Sequence, residues 1–387
     1  MAANKPCTKV EMPHAQEEPA LDTQNHLHQG YVELYHHGFL HIKSTALLCA
    51  VGLGIPSAIH RRGGAATVSD LVADTGVHPA KLPYLRRLMR ALASSGIFAA
   101  GHQRRPDDGD EAVYRLAPVS RILVVPDDGA PSAAAPRDMS ALLRLLARPS
   151  TAVSPFFSLE AWFRDGGATS LFEMALGVPP WSLTKSDASY NAAMNDACAA
   201  DTGFAMDTML REVGGTSIFR GLSSLVDVGG GHGAAAMAIA RAFPQVKCTV
   251  LDLEQVISEA PAASSGAVQF IAGDMFESIP PADAVFIRHV LDCWDDDHCV
   301  KILRRCKRAI PTRDAGGKVI VVNLVVGYGP LDNAVKETQV LFDMYMMRYG
   351  GAEREEHEWK KIFLEAGFSD YKITPILGFQ SIIEVFP

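Results

Sequence analysis

The stretch HVLDCWDDDHC, His289 to Cys299, sets two histidines, four aspartates and a tryptophan one residue after AVFI, an apolar run that reads as a buried strand. A carboxylate or imidazole at the end of such a strand suits general acid–base work. Acidic residues also start helices, because a first turn favours negative charge. Asp295, Asp296 and Asp297 precede KILRRCKRAI and take the second reading, whereas Asp292 takes the first. His298 reads as a helix-surface residue. His289 closes the strand and is expected to turn its ring away from the site.

A second stretch, LVDVGGGHG, ends a strand in Gly229, Gly230, Gly231 and Gly233 before a helix, so a ligand can lie against bare backbone at the helix N-terminus. Gly229, Gly231 and Ala234 also fit the dinucleotide pattern G-x-G-x-x-A, which by itself leaves a nicotinamide cofactor and a nucleoside equally open. Asp252, closing the next strand in TVLDL, is placed for ribose hydroxyls in either case. Two features favour a cation. Asp227 precedes the first glycine by two residues and would repel a pyrophosphate; GDMFESIP offers Asp274 to an exocyclic amine and Met275 and Phe276 to a base. Three carboxylates around one glycine bend suit S-adenosylmethionine.

From Leu222 onward strands alternate with helices, the order of a parallel, doubly wound sheet. The parts before it divide by composition. Residues 1–24 form a polar tail with little to bury. Residues 25–125 run helix, helix, helix, strand, with Ser69 and Gly76 as start and stop signals and Gly96 as a later stop, HQRRPDDGDE as a charged loop and VYRLAPVSRILV as a short strand: the order of a winged helix. Residues 126–137 are a linker, and 138–387 a catalytic domain, helical and substrate-lining over 138–215 and Rossmann-like over 216–387.

Composition narrows the partners. With 36 basic and 44 acidic residues in 387, the formal charge is −8, which opposes a phosphate-gripping surface. The third helix of the wing module instead places Leu82, Leu85, Leu88, Met89 and Leu92 on broad apolar faces, as a homodimer interface would require. His36, His37 and His41 read as surface or interface histidines. Seven cysteines, none in a C-x-x-C pair, indicate neither a disulfide framework nor a zinc site, and no metal is expected. TALLCAVGLGI is too short to span a bilayer and the N-terminus has no hydrophobic signal core, so a cytosolic, membrane-free protein is expected.

The motifs LVDVGGGHG, TVLDLEQVI, GDMFESIP, ADAVFIRHVLDCWDDDHCVKILRRCKRAI, GGKVIVV and GGAEREEHEWKKIFLEAGFSDYKI together resemble those of the plant small-molecule O-methyltransferases, the caffeate, flavonoid and N-acetylserotonin group, from about Leu27 to Pro387. The resemblance is closest to the grass branch. It implies a homodimer whose helical N-terminal domain helps close the partner's site above a Rossmann-like, S-adenosylmethionine-dependent domain. It further implies cofactor contacts at Gly229, Asp252, Asp274, Met275 and Arg288, the last where lysine is common, and at Cys198, where serine is common. Tyr190, Met194, Met344 and Met347 correspond to residues lining the acceptor pocket.

The same resemblance exposes a departure. The family's catalytic histidine is replaced by Asp292 and the aspartate after it by Cys293; one of the two acidic residues that hold the histidine becomes Asn323, and the other remains as Glu353. Three readings follow: Asp292 as base for an acidic hydroxyl of an aromatic metabolite; N-methylation of an aromatic amine, oriented by Asp292; or a weakly active, ligand-binding assembly subunit.

Overall fold

The computed structural model describes residues 23–105, 109–125, 138–167, 170–212, 215–260, 268–330 and 332–387. The expected linker lies outside the described residues, as does the expected tail apart from residues 23 and 24, which begin a helix.

The N-terminal module is helical with a wing. Helix Thr23–Gly52 runs into Ile55–Arg61, and Val68–Thr75 and Leu82–Ser94 follow. Strands β1 (Ala65–Thr67), β2 (Phe98–Arg105) and β3 (Gly109–Leu116) pair antiparallel in the order β1-β3-β2. Thr67, rather than Ser69, caps Val68–Thr75: its hydroxyl accepts from Asp70 N at 3.1 Å while Asp70 accepts from Thr67 N at 2.9 Å. The charged stretch after Gly101 is mostly ribbon, with His102 opposite Ala112 and Gln103 opposite Glu111. The strand expected over VYRLAPVSRILV ends at Leu116, because Pro118 has no N–H for the ladder and opens the short helix Pro118–Arg121.

The apolar helix faces are used differently from the sequence expectation. Leu85, Met89 and Leu92 are buried against Ile55, Ile59, Leu71 and Phe98 in the module's own core, with Leu82 and Leu88 partly buried beside them. Open apolar surface lies instead on Thr23–Gly52, where Leu27, Tyr31, Val32, Leu34, Phe39 and Ile42 are each more than half exposed. His36, His37 and His41 are exposed on the same helix. No single helix among the described residues is long and apolar enough to cross a membrane.

The catalytic domain is built on β4 (Ser224–Val228), β5 (Lys247–Asp252), β6 (Val268–Ala272), β7 (Ala284–Arg288) and β8 (Lys318–Asn323), all parallel. A two-residue pair, β9 (Val325–Val326) and β10 (Arg354–Glu355), is also parallel. The sheet is not wholly parallel, however. β11 (Asp370–Ile376) and β12 (Gln380–Phe386) form a hairpin whose short turn carries Leu377 and Gly378 at positive φ, and β12 inserts antiparallel to β8. The resulting order is β11-β12-β8-β7-β4-β5-β6.

Period-two alternation explains why these strands are apolar throughout. Val226, Val228, Val285, Ile287, Val319 and Val321 pack on one face with Trp359 and Phe363; Leu225, Phe286, Ile320 and Val322 pack on the other with Met206 and Met209. The chain leaves β4 outward to β5 and β6, then crosses back to β7. The crevice at the C-terminal ends of β4 and β7 is therefore where a ligand is expected to lie.

An unpartnered apolar face of this size predicts self-association. Tyr35→Glu combined with Phe39→Glu is expected to halve the mass measured by light scattering and to leave the far-ultraviolet circular dichroism unchanged.

Candidate active site

Asp252 organises the glycine bend. Gly231 N donates to its Oδ2 at 2.8 Å, Leu253 N to its Oδ1 at 2.7 Å, and its carbonyl accepts from Gly273 N at 2.9 Å, which joins the Asp252 and Asp274 turns. Gly229, Gly231 and Gly233 all have positive φ, the conformation glycine adopts without strain. A Cβ at Gly229 would meet Val290 at 2.6 Å, whereas the space beside Gly231 is open. Bare backbone next to a held carboxylate is a cradle of the kind a nucleoside requires. Asp274 is exposed, with its Oδ1 accepting from Phe276 N at 2.8 Å, and Met275 is half-buried against the core.

Asp227 has a different part from the one its position suggests. It lies behind the bend, 2% exposed, with its carboxylate taking the Ala236 N–H and filling the space a Cβ on Gly230 would need. Burial pushes its carboxyl up to about 7, so near neutral pH it carries only part of a charge. It braces the loop and the following helix rather than presenting a full charge to a ligand.

Across the crevice, helix Ala188–Glu212 supplies Cys198, Asp201 and Thr202. Arg288 is buried and donates to Asp201 at 2.7 Å and Thr202 at 3.0 Å. Despite its own burial, Asp201 is held below the usual carboxylate range by Arg288 and, next, His289. Cys198 keeps solvent-accessible surface yet is surrounded by protein, the mark of a cleft wall, and burial pushes its thiol up to about 11.

The chemical cluster lies at the ends of β7 and β8. Asp292 is fully buried, Glu353 is 5% exposed and Asn323 is fully buried. Asn323 Nδ2 donates to Glu353 Oε2 at 2.9 Å, and His289 Nδ1 lies 3.2 Å from Asp292 Oδ2. Burial first, and then the Asp292 charge, drive the Glu353 carboxyl well above the usual carboxylate range. His289 does not turn away. Its backbone sits at φ 50, outside the strand conformation, and its ring faces Asp292 on one side and Phe342, 5.4 Å distant, on the other.

Two residues that sequence reasoning passed over hold this cluster together. Gly351 lets the backbone approach so closely that a Cβ there would collide with the Asp292 carbonyl. Arg354, 2% exposed, donates to Leu291 O, Ala352 O, Trp294 O and Asp296 Oδ1, pinning the 291–296 segment against β10. The paired glycines and charged pair in GGAER were the available signal. Asp295 caps helix Asp296–Ala309, as expected of the acidic run, and also accepts from His298 Nδ1 at 2.7 Å.

An aromatic cluster adjoins Trp294. Trp181 stacks on Trp294 at 6.1 Å and packs on Tyr349 at 5.8 Å. Tyr190 is fully buried and hydrogen bonded to the Tyr349 hydroxyl at 3.1 Å, so it supports this wall from behind. Met194 and Met347 are half-buried, and Met344 is 38% exposed.

Residues 156–369 match the model of the O-methyltransferase domain and residues 35–126 that of the O-methyltransferase dimerisation domain. The chain is 52% identical over 374 residues to acetylserotonin O-methyltransferase 3 of Oryza sativa subsp. japonica, with 96% of this chain and 98% of the relative covered. It is 47% identical over 369 residues to 5-pentadecatrienyl resorcinol O-methyltransferase of Sorghum bicolor, covering 93% and 97%. The chain belongs to the O-methyltransferase family.

Solved structures agree on the fold. Human N-acetylserotonin methyltransferase in complex with S-adenosylmethionine superposes with a TM-score of 0.72 at 20% identity, covering 97% of this chain and 99% of that one. Mitomycin 7-O-methyltransferase gives 0.68 at 27% identity, covering 94% and 98%. The protein is thus an S-adenosylmethionine-dependent O-methyltransferase with a Rossmann-like domain and an N-terminal dimerisation domain, and the nicotinamide alternative falls away. Asp292 has no accessible surface, and His289 beside it keeps 15% of its side-chain surface exposed.

Asp227 generates a pH prediction. Its folded-state value lies above the ordinary aspartate value of 3.8, so its contribution to stability is present in acid and is lost as pH rises towards about 7. Relative to Asp227→Asn, the wild type is expected to lose on the order of 1.4 kcal/mol per pH unit between about pH 5 and about pH 6, with the divergence levelling off by about pH 8, as read by denaturant unfolding of both proteins.

Proposed function

We propose that this O-methyltransferase transfers the methyl group of S-adenosylmethionine to a hydroxyl of a small aromatic metabolite, as a cytosolic homodimer. The observation that carries the substrate class is the aromatic cluster of Trp181, Trp294 and Tyr349, to which the resemblance adds Met194, Met344 and Met347 as pocket residues. Flat rings bind such surfaces through offset stacking and sulfur contacts. The named relatives support the same class, since they act on acetylserotonin and on an alkenyl resorcinol. The free cysteines among the described residues support a reducing compartment.

In this reading the Gly229 and Gly231 backbone and Asp252 hold the ribose side of the cofactor, Asp274 takes its exocyclic amine, and Met275 covers the base. Arg288, fixed by Asp201, and Cys198 shape the opposite wall. When bound, the cofactor supplies an electrophilic methyl group on a sulfonium. The residues' main contribution is to hold an acceptor oxygen in line with it, since alignment supplies much of the acceleration in such displacements.

Calorimetry with S-adenosylhomocysteine and with NADH, followed by labelled-methyl transfer to a mixed panel of phenols and aromatic amines, tests this. S-adenosylhomocysteine is expected to bind, NADH is not, and label is expected on phenols. Label confined to amines, or none on any panel member, would contradict the assignment.

A further inference from the structure

The family's base is missing from its usual position, and the chain holds an imidazole three residues earlier that is built for the same task. We infer that His289 is the catalytic base of this enzyme, with its Nε2 facing the acceptor hydroxyl and Asp292 acting as the positioning residue behind it. This inference rests on the O-methylation reading above.

The protons decide the geometry. Asp292 Oδ1 and Glu353 Oε1 are both buried without a hydrogen-bond partner among the described residues. Two acceptors in one dry site cannot satisfy each other, but a single proton held by Glu353 satisfies both oxygens at once. That proton leaves Asp292 as the charged partner. Its other oxygen, Oδ2, then accepts from His289 Nδ1 at 3.2 Å. An imidazole that donates from Nδ1 carries its lone pair on Nε2. Among the described residues Nε2 has no hydrogen-bond partner, and the ring keeps 15% of its surface exposed.

The backbone is arranged to deliver this ring. His289 occupies the left-handed region at φ 50, where a non-glycine residue is uncommon. The turn redirects the side chain at the point where β7 ends, and Phe342 packs against the ring's other side at 5.4 Å. Phe342 belongs to helix Asn333–Met347, which also carries Met344 and Met347, the two methionines that the resemblance assigns to the acceptor pocket. Base and acceptor site therefore share one support.

The step balances without a co-reactant. The phenolic oxygen forms the new bond to the methyl carbon, the carbon–sulfur electron pair stays on sulfur, and the phenolic proton passes to Nε2. The Asp292 carboxylate stabilises the imidazolium, which later loses its proton to water.

Turnover of His289→Phe and wild type is to be compared on two phenols, one protonated at neutral pH and one acidic enough to be ionised there. Phenylalanine preserves the packing on Phe342. The expected result is a loss of kcat of about 10²–10⁴-fold on the protonated phenol and little loss on the ionised one. Equal losses on both would reduce His289 to a structural role and overturn the inference, as would no loss on either. Activity abolished by a chelator and restored by a divalent cation would also overturn it, by giving His289, Asp292 and Glu353 to a metal. If the wild type methylates no phenol, the proposed function fails instead, and ¹⁵N-histidine spectra still decide the pair. The signal missing from His289→Phe is expected to show the proton on Nδ1; a proton on Nε2 would overturn the inference.

Discussion

Two carboxyl groups, Asp292 and Glu353, are sealed from water beside one another at the end of the central sheet, and only one of them can be charged at modest cost. Most features around them answer to that constraint. Asn323, where a third acid would have made the site untenable in this arrangement, instead gives an N–H to Glu353. Gly351 brings Glu353 within reach by removing the side chain that would strike the Asp292 backbone. Arg354 fastens the segment that carries Asp292 through two carbonyls and one carboxylate, which opposes the pair's relaxing apart. Its guanidinium also lies over Trp359, whose indole N–H reaches Leu324 O and ties the arrangement to the sheet core.

The cofactor crevice follows a separate logic and is joined to this pair through adjacent residues of one strand. β7 ends on Arg288, which pairs with Asp201, and the next residue, His289, turns its ring to Asp292. A donor held at the glycine bend and an acceptor held against the aromatic wall thereby meet at the strand's end. The fold's contribution is this convergence. Three turns, after β4, β5 and β6, are hydrogen bonded to one another through Gly229 N, Gly231 N and Gly273 N, so the crevice is set by backbone geometry before any ligand arrives.

Much of this was legible in the chain before its structure. The glycine bend with Asp252 and Asp274 follows from strand-end chemistry, and the parallel core from strands that alternate with helices. The acidic run at Asp295 to Asp297 is a helix start in both views. The misreadings have physical causes. An amphipathic helix looks the same whether its apolar face meets its own domain or a second copy, so Leu85, Met89 and Leu92 suggested an interface while the exposed face lies on Thr23–Gly52. Asp227 was read by charge alone, and burial removes much of that charge near neutrality. Period-two alternation has no means of announcing a left-handed residue that is not glycine, and this hid the direction of His289. The insertion of β12 between β8 and β11 depends on long-range pairing that no local pattern encodes.

The account therefore turns on a proton held between Asp292 and Glu353. Infrared difference spectra of the wild type and Glu353→Gln at neutral pH, in light and heavy water, report that proton directly. The predicted result is a protonated-carboxyl carbonyl band, shifted in heavy water, that is present in the wild type and absent from the variant. A wild-type spectrum identical to the variant's in that region, with both groups ionised, would contradict it.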